Sequence, residues 1–366
     1  MRMFFNGKTL LALVISIMPI GFSQTVIPPA APPAAVITAI STAPEGATII
    51  FNAPTYGPFA ATINIGPPDT IATRLTFVSS VNSTTLIGGG PGPVLSVNPG
   101  ANFSCMGIDF QYNNGGPSRN THVAVVGGAG LVPTNVSIDN CSFSGGIRNP
   151  LAAQPAGDGL VLTGDVTGTI VNSRFTNNGG NGITVGPNAL LPANPTRPNI
   201  MRNIISNNGG AGVFIATPAT PLLEDNKIDS NRGSGVFYTG IQGGRAPNNG
   251  GLARNNIVDT NNVNGFTITN SASPIIDSNA VFNNGSDGFN VRNSASPRVE
   301  NNEVRGNTRA AFELGIASAG TFDNNLCQGN LGTQIGGPAV GDSFFQQRSS
   351  TAIIGATTAN TGCLPR

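Results

Sequence analysis

From about residue 135 to 337 the apolar positions of the chain fall into columns that recur with a fixed period. The pattern is clearest from the motif N-x-x-x-x-N, at Asn203/Asn208, Asn226/Asn231, Asn256/Asn261, Asn279/Asn284, Asn302/Asn307 and Asn325/Asn330. Successive second asparagines are 23, 30, 23, 23 and 23 residues apart, so the long step is one unit plus seven residues. Eight residues before the second Asn stand Ile200, Leu223, Ala253, Ile276, Val299 and Phe322; three before it stand Ile205, Ile228, Val258, Val281, Val304 and Cys327. After a Gly in most units come Ile183, Val213, Val236, Phe266, Phe289 and Phe312, and two residues further Val185, Ile215, Tyr238, Ile268, Val291 and Leu314. Alternation over such short runs, rich in β-branched residues and Phe, predicts strands. No window shows sustained helical spacing.

A period of this size marks a solenoid. Short strands joined by Gly/Asn turns predict an all-β, single-stranded parallel β-helix of about 22–23 residues per coil, with coils ~4.8 Å apart and like residues stacked. Parallel crossovers are right-handed by default, so the helix should be right-handed. The stacked asparagines should exchange amide hydrogen bonds and satisfy turn carbonyls inside the fold. Cys141 and Ser173 replace Asn at the head of one column. A leucine-rich repeat of similar length needs a Leu/Asn consensus that is missing here.

The units G-[IVF]-x-[IVF]…N-x-[IV]-x-x-N resemble the right-handed β-helix repeat proteins of the pectate-lyase-like superfamily, the pectin lyase fold, over roughly Asn135 to Gly337. That superfamily includes pectate and alginate lyases, polysaccharide hydrolases, mannuronan epimerases, phage tailspikes and adhesins, so the fold alone does not choose a function. The resemblance implies first coils and an amino-terminal cap over residues 36–130, with "APTYGPFAATINI" similar to the first strand pair of family members. Solenoids need atypical end units of this kind. A separate small domain is the alternative. Within 36–130, Ala47–Phe51, Ala61–Ile65, Arg74–Ser79, Thr84–Ile87, Val94–Val97 and Cys105–Phe110 read as strands. The regular repeats follow at 131–337, and the helix ends by 345, leaving a tail at 346–366.

Residues 1–23 carry Arg2 and Lys8, the apolar run Leu10–Ile20, then small residues. They read as a secretory signal peptide, too short to span a membrane, with a non-cleaved anchor as the alternative. The expected location is secreted, periplasmic or at the cell envelope, and the mature chain is not membrane-spanning. Residues 24–35, with VIPPAAPPAA, read as an extended Pro/Ala linker. Without Arg2 and Lys8, 16 basic residues face 17 acidic ones, a net charge of about −1. A neutral chain with no basic stripe argues against nucleic acid as a partner and against electrostatic docking to anionic membranes. It also argues against a strongly polyanionic substrate, unless a local basic patch exists.

Four cysteines remain for an oxidising compartment. Cys327 with Cys363 would pin the tail over the last coil, and Cys105 with Cys141 would join neighbouring coils; buried free thiols are the alternative. There is no CxxC, which argues against zinc. His122 is the single histidine and Lys227 the single lysine after the leader. No GxSxG motif is present, nor the Asp-Pro-His-Asp motif of epimerase and lyase members. His122 reads as a loop residue.

Two constellations remain. Glu224, Arg254, Asp277, Glu300 and Asp323 form a column beside an inward one, so they should face outward. Asp277, Glu300 and Asp323 on successive coils repel unless a cation or Arg offsets them. With Arg298 and Arg305 near Glu300, they resemble the calcium-and-base layout of the family's lyases. That resemblance implies a calcium ion held by the three carboxylates and an Arg base. Paired carboxylates could equally hydrolyse a glycosidic bond, and a solvated face with Arg254 and Arg298 as counter-ions is the competing reading. The second column is Val161, Thr184, Phe214, Phe237, Thr267, Asn290 and Glu313. Phe214 and Phe237 should stack and suit a sugar face, unless the insertions Pro187–Pro198 and Gly240–Gly251 fold over and bury them. A longer insertion, Ile147–Asp158, enters a different turn, and such loops usually build the binding face. Arg197, Arg202 and Arg245 sit on or beside the loops, Arg245 being the binding candidate. The functional expectation is contact with a polysaccharide or glycan along one face. A polysaccharide lyase or glycoside hydrolase, and a structural or adhesive surface protein, are the alternatives.

Overall fold

The structure is a computed structural model. It describes residues 23–67, 73–113, 121–127, 132–149, 157–186, 196–216, 218–240, 250–315 and 318–330, with the backbone of 345–347. Three parallel sheets of 12, 11 and 11 strands run the length of the described chain. Each coil contributes one strand to each sheet in turn. In one coil, Leu222–Glu224 lies in sheet A, Lys227–Asp229 in sheet B and Val236–Thr239 in sheet C, before Leu252–Arg254 returns to sheet A.

The expected register holds residue by residue. Ile200, Leu223, Ala253, Ile276, Val299 and Phe322 are consecutive partners across sheet A, and all are buried. Ile205 to Cys327 do the same across sheet B, and Ile183 to Phe312 across sheet C. Inside, like rings stack: Phe143 on Phe175 at 5.0 Å, and Phe266 on Phe289 at 5.0 Å. Each such buried side chain contributes roughly 1.5–3 kcal/mol of apolar burial, and that burial exists only when a coil lies above and below.

The corners explain the N-x-x-x-x-N motif. In every regular coil the residue before each motif Asn has left-handed backbone: Asn255 (φ 55°) precedes Asn256, and Thr260 (φ 51°) precedes Asn261. Two left-handed residues five apart turn the chain from sheet A to B and from B towards C. Short polar side chains tolerate that conformation best. The Asn that follows points inward and closes the ladder. Asn226, Asn256, Asn279 and Asn302 pass Nδ2–H to the next Oδ1 at 2.9–3.0 Å, and the second column repeats this from Asn208 to Asn330. At the head, Ser173 Oγ accepts the Cys141 N–H at 3.1 Å, a reduced form of the same bond.

The amino-terminal region departs from the reading in two places. Residues expected as an extended linker form an edge strand, Gln24–Ile27, paired with Thr48–Phe51, and a helix, α1, at Pro33–Ser41. Proline in the first turn and a run of Ala favour that helix, but nine residues are too few to display a period. Val36 and Ile40 of α1 are buried against the first coil, so the segment caps the core. The run Cys105–Phe110 is two strands, Asn102–Met106 and Ile108–Tyr112, because Gly107 (φ 69°) turns a corner between them. Cys105 and Cys141 are buried thiols with sulfurs 3.0 Å apart, and burial, followed by the neighbouring Cys141, pushes the Cys105 thiol well up. Cys327 is disulfide-bonded; its expected partner Cys363 lies outside the described residues, as does the leader at 1–22. No helix among the described residues is long and apolar enough to cross a membrane.

Candidate functional site

The outward positions of sheet C form one continuous strip. Val161, Thr184, Phe214, Phe237, Thr267, Asn290 and Glu313 are partners on seven successive coils. At its middle, Phe214 and Phe237 stack with centroids 5.4 Å apart and planes 11° from parallel. Both rings remain half-buried, with part of the pair open to solvent. The insertion segments 187–195 and 241–249, with Arg245, lie outside the described residues.

Polar clusters bracket the rings. Towards the amino end, Asp158 accepts the Thr184 hydroxyl at 2.7 Å and the Asn181 N–H at 2.6 Å. Its own N–H donates to His122 Nδ1 at 3.2 Å, and its carboxylate lies 3.6 Å from that nitrogen. Burial pushes the His122 pKa below its ordinary value, while the Asp158 charge opposes the shift. With Nδ1 accepting, the neutral ring carries its proton on Nε2. Towards the carboxyl end, Asn290 Nδ2 donates to Asp287 at 3.1 Å and to Glu313 at 3.0 Å. Arg309 reaches both carboxylates, at 3.7 and 3.2 Å. The Asp287 side chain is fully buried, whereas Glu313 and Arg309 keep partial access to solvent. This end can recognise hydroxyl groups through fixed acceptors and a guanidinium.

The clusters share a local origin. The residue just before the first apolar position of each sheet C strand, or before its Gly, forms a third column: Asp158, Asn181, Ala211, Ser234, Asn264, Asp287 and Ala310. Its carboxylate or amide oxygen accepts the backbone N–H one coil on, as in Ala211 to Asn181 at 2.8 Å and Asp287 to Asn264 at 3.0 Å. Where this ladder lapses, at Ala211 and Ser234, the strip carries Phe214 and Phe237 in place of a polar partner. The sequence reading placed the Phe pair and the strip correctly but overlooked the third column, and with it Asp158 and Asp287. Their fixed place two residues before an inward apolar position was the available signal. His122 carried none, since 36 residues separate it from Asp158 and the segment before it is irregular.

The carboxylate column lies elsewhere, on the outward face of sheet A. Glu224, Arg254, Asp277, Glu300 and Asp323 are in register on successive coils. Arg254 pairs with Glu224 at 2.7 Å and Arg298 with Glu300 at 2.9 Å. Asp277 accepts from Asn301 Nδ2 at 2.8 Å and Ser278 Oγ at 3.1 Å. Arg305, expected beside Glu300, sits on sheet B, paired with Glu303 at 2.9 Å and over the Phe282 ring at 4.6 Å. Among the described residues no three His, Cys, Asp or Glu side chains converge as a metal-holding group. The two constellations read from the sequence therefore occupy different faces, with Phe214 and Phe237 on one and Asp277, Glu300, Asp323 and Arg298 on the other.

Residues 103–249 and 237–342 match the family described as right-handed β-helix region. Among solved structures, the A-module of the mannuronan C-5 epimerase AlgE6 from Azotobacter vinelandii is similar with a TM-score of 0.54 at 11% identity, covering 94% of this chain and 89% of that one. The Agl-KA catalytic domain gives 0.49 at 14% identity over 90% and 68%. The periplasmic alginate epimerase AlgG gives 0.48 at 13% over 78% of this chain and 63% of that one, so the alignment spans less than two thirds of its length. No curated protein sequence matches the chain. Three parallel sheets in continuous register, closed by Asn corners, and a family match over more than half the sequence agree: the chain belongs to the right-handed β-helix family and has the pectate-lyase-like fold.

Proposed function

We propose that the protein is exported and binds a polysaccharide along the outward strip of sheet C. The observation that carries this reading is the stacked, half-open Phe214–Phe237 pair, near-parallel on adjacent coils and flanked on the same strip by hydrogen-bonding groups. Apolar rings beside directed donors and acceptors suit the mixed apolar and polar surface of a pyranose. The similar fold of an enzyme that acts on mannuronan supports a glycan rather than a peptide. Affinity electrophoresis against a polysaccharide panel tests it: a Phe214→Ala/Phe237→Ala variant should lose most of the retardation seen with the natural protein. Equal retardation of the two proteins for every retained polymer would reject the platform.

A lyase or hydrolase acting on the same strip is the second reading. It is favoured by His122, a partly buried imidazole next to Asp158 that burial holds in its neutral form, the form that can accept a proton. The ultraviolet absorbance of unsaturated uronates, or new reducing ends, would report it. Loss of that signal in His122→Gln with retained binding is the expected result; unchanged turnover would remove His122 from the reaction.

A further inference from the structure

We propose a second carbohydrate site, separate from the Phe214–Phe237 platform, that takes an acidic chain bearing repeated carboxylate or sulfate groups. It is an open groove of about 670 Å³ on the corner between sheets B and C, with Arg148 and Arg232 among its lining residues. The groove floor crosses four successive coils, as the bonds Gly179 N–H to Gly146 O, Gly209 N–H to Asn178 O and Arg232 N–H to Asn208 O show. Glycine is required there: a Cβ on Gly209 would collide with the Gly179 carbonyl of the coil before. The floor is thereby kept low, and the arginines stand above it.

Charge decides the ligand. Among the described residues no carboxylate lines the groove. Among the described residues neither Arg148 nor Arg232 has an acidic partner, whereas Arg254, Arg298, Arg305 and Arg309 each do. Asp158, on the same insertion as Arg148, is committed to Asn181 and Thr184. The Asn177 side-chain amide, between the two arginines, has no hydrogen-bond partner among the described residues and adds a neutral donor. A nearly neutral protein thus places two arginines without acidic partners in one concave place, a local basic patch that net charge alone conceals.

Spacing then selects a chain over a single anion. Arg148 and Arg232 project from turns three coils apart, roughly 14 Å along the axis at the usual strand separation. One phosphate or carboxylate cannot touch both, whereas successive acidic groups on one polymer can, each guanidinium gripping an oxyanion through paired N–H donors.

The test is retardation of the full-length exported protein in gels containing polygalacturonate, dextran sulfate or neutral dextran, across a salt series. The natural protein should be retarded by at least one of the two acidic polymers, increasingly so as salt falls, and by the acidic polymers far more than by dextran. Arg148→Gln/Arg232→Gln should weaken that binding ten-fold or more. Retention of only one acidic polymer identifies carboxylate or sulfate as the recognised group and supports the site. Equal retention of the double arginine variant, equal retention by neutral dextran, or no retention by either acidic polymer would each overturn it. Because the platform is tested with the phenylalanine variant, either reading can fail while the other stands.

Discussion

Asn256→Ala strikes one rung of the inner ladder, and its effect can be worked from five hydrogen bonds. Asn256 Nδ2 donates to Leu223 O at 2.9 Å, Arg254 O at 3.0 Å and Asn279 Oδ1 at 2.9 Å. Its Oδ1 accepts from Asn226 N at 3.0 Å and Asn226 Nδ2 at 2.9 Å. One NH2 group has only two protons, so three acceptors share two donors. Counting four effective bonds at about 1 kcal/mol each gives ~4 kcal/mol. Two consequences pull in opposite directions. The Asn226 N–H is left buried without its acceptor, which adds to the loss, while water entering the space left by the amide recovers part of it. The expected loss is about 3–5 kcal/mol, read as a lower denaturant midpoint at fixed salt with unchanged slope. Asn255→Gly is the control: Asn255 is exposed and left-handed, a conformation glycine adopts freely, so its effect should stay within about 1 kcal/mol. A loss below about 1 kcal/mol for Asn256→Ala would mean that the ladder amides exchange freely with water, and the corner account would be wrong.

Three further outcomes follow from single residues. Thr260 is β-branched yet left-handed (φ 51°) at a corner where other coils use Asn207, Ser230, Asn283 or Gly306; Thr260→Asn should raise stability by about 1 kcal/mol, seen as a higher melting temperature. The Tyr238 hydroxyl is buried with no hydrogen-bond partner among the described residues, and burial pushes its pKa well up; Tyr238→Phe should be neutral to about 2 kcal/mol stabilising, and a clear loss would reveal a partner. Burial lowers the His122 pKa below its ordinary 6.5, so the unfolded chain takes up that proton first on acidification. Stability contributed by neutral His122 is therefore full above pH 6.5 and declines as pH falls below it, a decline that His122→Gln should flatten in denaturation series.

The regular coils were legible because twenty-three residues separate like environments, so each inward Ile or Val repeats the same decision. Asn279 and Asn302 were placed in ladders from spacing alone, and the coordinates put them at 3.0 Å. Legibility failed where repetition failed. The Pro33–Ser41 helix occurs once, Gly107 is a corner without the Asn signature, and His122 meets Asp158 across an insertion. The site was partly readable for the same reason. Phe214 and Phe237 belong to a column, but which outward face matters depends on where the loops emerge, and alternation treats sheets A and C alike. The acidic residues of sheet A drew attention by charge, yet among them Glu224 and Glu300 carry arginine partners and Asp277 is hydrogen-bonded in place, the usual condition of a solvated face.

Hydroxyl-radical footprinting of the protein with its best-retained polysaccharide compares the two faces in one experiment. Oxidation of Phe214 and Phe237 should fall several-fold on saturation, while Ile275 and Arg298 on sheet A should react as in the free protein. Protection of the sheet A residues with unprotected rings would contradict the account and move the glycan to the carboxylate face.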